Sequence, residues 1–310
     1  MTEEITLSED YFKMDTERLC SGIQAFIQER FIESKKEGVL IPISGGLDSS
    51  VTAALVTRAL GKDKVTGLML PERFGNPEVI KFGNLIINHL QIKSERIFIN
   101  PIIRSLGIAS LLLTFLGGRE FWRKSIEKIK EKRGDQVKEG YLKMLRGEVV
   151  PTFQKYTSKI SGRQRARLLI AYKYAEEHNL LLAGSTHKSE RSVGLFIKFG
   201  IDDCADIMPL KSTYRTQILQ IGKHLGIPEE ILSRTPNPDM VPGITDKYIS
   251  YLGLPSLQID LILLGLECKM TPKEIAQQIG ISEMNVLEIQ EIVGLTQLQR
   301  NPSLGPTLNT

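Results

Sequence analysis

The chain has 310 residues, 41% hydrophobic and 25% charged, enough for a buried core and typical of soluble globular proteins. Its 40 basic and 36 acidic residues leave a net charge of +4, too mild to point to nucleic acid by itself. The acidic start MTEEITLSEDYF is not expected to be a signal peptide, and the apolar stretches GIASLLLTFLGG and LILLGL are too short to span a bilayer.

From residue 15 onward Leu19, Ile23, Phe26, Ile27 and Phe31 recur at helical spacing, which predicts a helix over 15–37. VLIPI at 39–43 has the length of a buried strand, and SSVTAALVTRAL at 49–60 reads as a helix stopped by Gly61. VTGLML at 65–70 predicts a second strand, 77–90 a helix and RIFIN at 96–100 a third strand. This alternation points to an α/β fold, a doubly wound parallel sheet covered on both faces and joined by right-handed crossovers.

Residues 119–146 break the pattern. They hold ten basic residues and five acids, a local +5. They read as a solvated helical pair or rim lid, the sharper alternative being a lid or partner surface for an anionic substrate. The alternation resumes with a helix over 163–178, a strand LLLAG at 180–184 and a helix over 212–226. TPNPDMVPG at 235–243 has three prolines in nine residues and predicts an irregular loop. Beyond Gly253 the pattern is wholly helical. The expected division is a main domain at 1–262 with a basic helical insert at 105–160, then a helical extension at 263–310.

The chemistry concentrates in IPISGGLDSS at 41–50. A strand, a Gly-Gly turn and a helix start together make an anion site, because free backbone N–H groups and the helix dipole face the ligand. Gly45 and Gly46 allow close approach, and Ser44, Ser49 and Ser50 add hydroxyls. No Lys follows the glycines, so this is not a Walker loop. Asp48 would repel phosphate unless a divalent cation lay between them; Mg²⁺ binds in that way. A plain helix cap is the competing reading of Asp48. The cysteines Cys20, Cys204 and Cys268 form no metal-ligand spacing and fit a reduced, cytoplasmic setting. The four histidines suggest no HExxH zinc site.

SGGLDSS resembles the pyrophosphate loop of the N-type ATP pyrophosphatases, of the adenine nucleotide alpha hydrolase-like superfamily. Three later segments narrow the likeness to the NAD synthetases: GSTHKSERSVGLFIKFG, DIMPLKSTYRTQILQIGKHLGIPEEI and TPNPDMVPGITDK. The resemblance implies a Rossmann-like fold of ATP pyrophosphatase type and cleavage of ATP between its α and β phosphates. It implies that a carboxylate, in nicotinate adenine dinucleotide, is adenylated and then amidated by ammonia to give NAD⁺, AMP and pyrophosphate. Mg²⁺, ATP as co-substrate, a cytoplasmic homodimer and ammonia, free or from a separate partner, belong to the same expectation.

Carried onto this sequence, the resemblance makes Asp48 and Glu190 the metal carboxylates. It gives Ser44, Gly45, Gly46, Asp48, Ser49, Ser185, Arg215 and Asn237 to ATP and pyrophosphate. It places Arg163, Arg167, Lys198 and Asp206 on the acceptor substrate, and gives Asp202 an acidic catalytic role. Ser185 stands for a Thr, Arg215 for a Lys, Asn237 for a Ser or Thr, and Arg163 for an Asn. Asp246-Lys247 stands for an Asp-Glu pair, reversing one charge. The departures at Arg163, at Gly200-Ile201-Asp202-Asp203 (one residue inserted) and at Asp246-Lys247 cluster at the acceptor, so a different adenylated substrate, or sulfur transfer through Cys204, is the alternative. MTPKEIAQQIGISEMNVLEIQEIV resembles a helix-turn-helix, which would suit a DNA-binding regulator. Its second helix carries Glu283, Glu288 and Glu291 and no Lys or Arg, so it reads as a packing or dimer-contact unit instead. A nucleotide-binding module without turnover is the third reading.

Overall fold

The computed structural model describes residues 6–12, 15–73, 76–108, 137–237 and 244–301. Uncharged apolar runs form the inner strands β1 (Gly38–Pro42) and β2 (Val65–Met69). β3 (Lys93–Arg96) and β4 (Leu180–Leu182) flank them in a four-stranded parallel sheet of order β3-β2-β1-β4. Val39 pairs with Val65 on one side of β1 and with Leu181 on the other. A parallel bridge from Ala183 to Ile207 continues past β4.

Alternate residues of the strands enter different cores. Val39, Ile41 and Val65 pack with helices α1 (Thr16–Ser34), α2 (Leu47–Leu60) and α3 (Pro77–Leu90). Leu40, Leu68 and Leu182 pack with Ile99 and Ile103 around α4 (Asn100–Ser105), and with Ala166, Ala171 and Ala175 of α5 (Pro151–Glu177). Both faces are covered, the condition under which a parallel sheet is stable.

Side-chain caps explain several helix starts. Asp15 accepts from Arg18 N at 3.0 Å, and Asn76 from Glu78 N at 3.0 Å. Gly46 is the N-cap of α2, so that helix begins two residues before the expected 49. The third strand is the clearest correction: it is Lys93–Arg96, and Asn100 opens α4. All four residues of β3 are exposed, because β3 is an edge strand and charge is tolerated there. The apolar Ile97 and Ile99 that suggested a strand still bond to Met69 O and Pro71 O, at 2.9 and 3.2 Å. α5 starts at Pro151, twelve residues before the expected 163.

Further helices include α6 (Lys188–Ser192), α7 (Arg215–His224), α8 (Lys247–Leu252), α9 (Ser256–Glu267), α10 (Pro272–Ile279) and α11 (Glu283–Leu295). A third core joins Ile259, Ile262, Ile275, Val286 and Ile289 of these helices to Tyr141, Val193 and Tyr214. The expected boundary after residue 262 lies inside α9, which packs on α6 and α7. Of the basic segment, residues 119–136 lie outside the described residues; 137–145 are helical and bury Tyr141. Of the proline-rich loop at 235–243, residues 238–243 also lie outside them.

Candidate active site

β1 has β2 on one side and β4 on the other, so the strand order reverses there. Ligand crevices of open α/β sheets lie at the carboxyl ends of strands at such a point. A cavity of about 500 Å³ opens there, lined by the turn after β1, by α5 and by the segment from Ser185 to Asp202.

The turn is braced by its own hydroxyls. Gly46 N donates to Ser44 Oγ at 3.2 Å, Ser44 N to Ser49 Oγ at 3.3 Å, and Ser49 Oγ to Gly46 O at 3.1 Å. Ser50 Oγ donates to Gly46 O at 2.8 Å, turning that hydroxyl away from the cavity. Gly45 has φ of +75°, and a Cβ there would stand 2.7 Å from Gly83 N. Only glycine fits that conformation and that contact.

Asp48 stands in the first turn of α2 and Glu190 on α6. Between them lies the buried His187, its Nε2 3.9 Å from Asp48 Oδ1 and 3.7 Å from Glu190 Oε1. Ligand atoms of Asp48, His187 and Glu190 all fall within 4.8 Å of one another. Burial pushes His187 below the usual histidine range, and its Nδ1 has no hydrogen-bond partner among the described residues. Arg215 Nη1 bonds Asp48, and Lys247 Nζ bonds Glu190. Burial would raise Asp48, but Arg215, His187 and Lys247 together hold it below the ordinary carboxylate value. Burial likewise works against the Lys247 ammonium, and Glu190 and Asp48 hold it above the ordinary lysine value. Two carboxylates from different helices, facing one cavity, suit a hard divalent ion that completes its shell with phosphate oxygens.

The cavity also gathers Ser44, Gly46, Ser49, Ser185, Arg167, Lys198, Asp202 and Asn237. Burial, then repulsion from Glu190, raises the Asp202 carboxyl to about 6. Gln164 Nε2 donates to Asp202 Oδ2 at 3.0 Å, and Thr186 N to the Asp202 carbonyl at 3.1 Å. Three expected residues stand off the cavity wall. Gly45 backs onto α3. Arg163 lies 3.0 Å from Glu72, which Arg167 also meets at 3.3 Å. Asp206 accepts from Leu182 N at 2.8 Å and Tyr172 Oη at 3.2 Å, which ties it to the end of β4. Cys204 is half-buried, and burial raises its thiol, the opposite of an activated thiolate.

Besides His187, three residues of the site were not singled out from the sequence. Arg234 donates to Gly45 O at 2.8 Å and lies over the Phe82 ring at 4.3 Å, clamping the loop from outside. Lys247 entered only as a departure from a motif. Asp260 is fully buried in α9 and accepts from Ser189 Oγ at 2.5 Å and from Thr216 N and Oγ1 at 2.8 Å each. Ser189 Oγ in turn accepts from Arg215 N at 2.9 Å. One carboxylate thereby joins the helix carrying Glu190 to the helix carrying Arg215. The signal available was a lone acid inside the apolar run SLQIDLILLGL.

On the helical tail, Val286, Ile289 and Ile292 of α11 are buried. Glu288 pairs with Lys138 at 2.5 Å and Glu291 with Arg146 at 2.8 Å. The second helix of the helix-turn-helix pattern is thus tied to the basic segment.

Fold and site together define a nucleotide-binding α/β protein of the adenine nucleotide alpha hydrolase-like superfamily. The NAD synthase family model matches residues 19–110 and 126–303. An NH(3)-dependent NAD(+) synthetase of Coprothermobacter proteolyticus is 31% identical over 291 residues, covering 90% of this chain and 95% of its own. The enzyme of that name from Thermotoga maritima is 33% identical over 245 residues, covering 78% and 85%. The chain belongs to the NAD synthase family. Its fold is shared with NMN synthetase of Francisella tularensis, with TM-score 0.69 at 22% identity over 96% of this chain and 100% of that one. NH3-dependent NAD synthetase of Campylobacter jejuni gives 0.65 at 20% identity over 94% and 100%.

Proposed function

We infer that the protein is an ammonia-dependent NAD⁺ synthetase, a ligase that uses ATP and ammonia to convert deamido-NAD (nicotinate adenine dinucleotide) to NAD⁺. The observation that carries this is a phosphate-type loop at the strand-order reversal, with Asp48 and Glu190 at one cavity, in a chain of this family. The acceptor carboxylate attacks the α-phosphorus of ATP and the bond to pyrophosphate breaks. Ammonia then opens the acyl adenylate, and AMP leaves.

The open N–H groups at the start of α2, with Ser44 and Ser49, are suited to hold the leaving pyrophosphate. Arg215 and Arg234 supply positive charge at the same end, where charge develops. Asp48 and Glu190 would hold Mg²⁺, which when bound neutralises phosphate charge. Arg167 and Lys198 provide the cationic wall for an acidic acceptor. Asp202, with its value near 6, is suited to take the proton that ammonia sheds as the amide forms. Ser185 and Asn237 are assigned to the nucleotide. Ammonia is free or comes from a separate partner.

We also propose a cytoplasmic homodimer; no helix among the described residues is long and apolar enough to cross a membrane. The division into a main domain and a helical extension is kept as two segments sharing a core. The test is incubation with Mg-ATP, ammonium and deamido-NAD, measuring AMP and NAD⁺. Equimolar AMP and NAD⁺ is expected. AMP without NAD⁺ would point to another acceptor. Absence of both would discard ligation and leave a nucleotide-binding module.

A further inference from the structure

Both carboxylates of the pair already carry a protein cation: Arg215 on Asp48, and Lys247 on Glu190. Each carboxylate of the pair is therefore matched by a cation of its own. The two cations are held differently. The Arg215 side chain is buried and its backbone N is fixed by Ser189 Oγ at 2.9 Å. Lys247 begins α8, where Asp246 caps Tyr248 N at 2.8 Å and Ile249 N at 3.1 Å. Its Cα is therefore pinned, and its side chain, 15% exposed against 10% for Arg215, lines the cavity on an unbranched four-carbon stem. The ammonium sits on the Glu190 oxygen that lies nearest His187, inside the cluster a metal would enter.

We propose that Lys247 is a resident cation of this carboxylate pair: it holds Glu190 against a free divalent ion, so that the metal enters only together with the phosphates of ATP. Phosphate oxygens offer the ammonium, a point charge with three donors, an alternative partner, and Glu190 is then released to the metal. The inference rests on Asp48 and Glu190 being the metal carboxylates.

Mn²⁺ is the probe, its free signal followed by electron paramagnetic resonance on the full chain. Without nucleotide the wild type is expected to bind no Mn²⁺ at concentrations that saturate it beside a non-hydrolysable ATP analogue. Lys247→Met, which keeps the stem and removes the charge, is expected to bind Mn²⁺ without nucleotide, about tenfold or more tighter than wild type, the scale of one neighbouring charge. Lys247→Arg is expected to match wild type. Adding Asp48→Asn to Lys247→Met is expected to abolish the gain. Wild-type protein that binds Mn²⁺ alone as tightly as with the analogue overturns the proposal without any variant. A Lys247→Met protein with a native circular dichroism spectrum and no gain also overturns it. In either case, weaker Mn²⁺–analogue binding in Asp48→Asn leaves the metal reading standing, and unchanged binding removes both.

Discussion

Asp48 and Asp202 show how the same side chain takes opposite roles under different neighbours. Asp48 has Arg215, His187 and Lys247 around it and stays ionised. Asp48→Asn is expected to lower kcat by about a hundredfold or more. It also strips a buried guanidinium of its counter-charge, at a cost of about 3 kcal/mol. Steady-state kinetics and thermal melting check the two effects separately. Asp202 is raised chiefly by burial and then by Glu190, against Lys247 and Arg167, and its value of about 6 is above the ordinary 3.8. Between those values the folded state holds a proton the unfolded chain has lost, so stability falls as pH rises through that window. Above it the penalty is complete, at most about 3 kcal/mol for a shift of that size. Asp202→Asn should therefore melt higher than wild type at about pH 8, with the gap closing near pH 4. A gap independent of pH would contradict the assignment. Asp48 was legible because it falls in a motif. Lys247 and Arg234 were not assigned, since a pairing across the chain leaves no local trace.

The elements that position the site depend on two contacts of different kinds. Gly45 is needed by its backbone, with φ of +75° and Gly83 N at 2.7 Å from a would-be Cβ. Gly45→Ala is expected to cost about 1–3 kcal/mol and to raise the KM for ATP, because the loop must shift. Denaturant unfolding and ATP titration measure both. Asp260 is needed for its acceptors. Asp260→Asn and Ser189→Ala are expected to lower kcat and, combined, to lose less than the sum of their separate effects, since they act through one network. Additive losses in that double-mutant cycle would make Asp260 a stabilising residue alone. The apolar strands and the caps Asp15 and Asn76 were readable because they act within a few residues. The third strand was misplaced because burial of Ile97 and Ile99 mimics strand alternation, while the exposed edge β3 carries charge.

For the whole molecule, the C-terminal helices share a core with Tyr141, Val193 and Tyr214. Glu288 and Glu291 of α11 are drawn to Lys138 and Arg146. An acidic helix so engaged is repelled by duplex phosphates. No binding is expected in fluorescence anisotropy with random duplex DNA at low or moderate salt; salt-dependent binding would revive the regulator reading. The proposed dimer is checked by sedimentation equilibrium, with twice the 34.8 kDa chain mass expected.

By itself the sequence determined the alternation of strand and helix, the phosphate loop and the family, because those depend on local periodicity and contiguous motifs. Tertiary structure decided the rest. It placed β1 at the reversal of strand order, brought Asp48 beside His187 and Glu190 from far along the chain, and set Arg215 and Lys247 on them. It also took Asp206 out of the cavity and put Asp260 behind it. Charge acts through space, and a pair formed across the fold has no spacing in the sequence from which to read it.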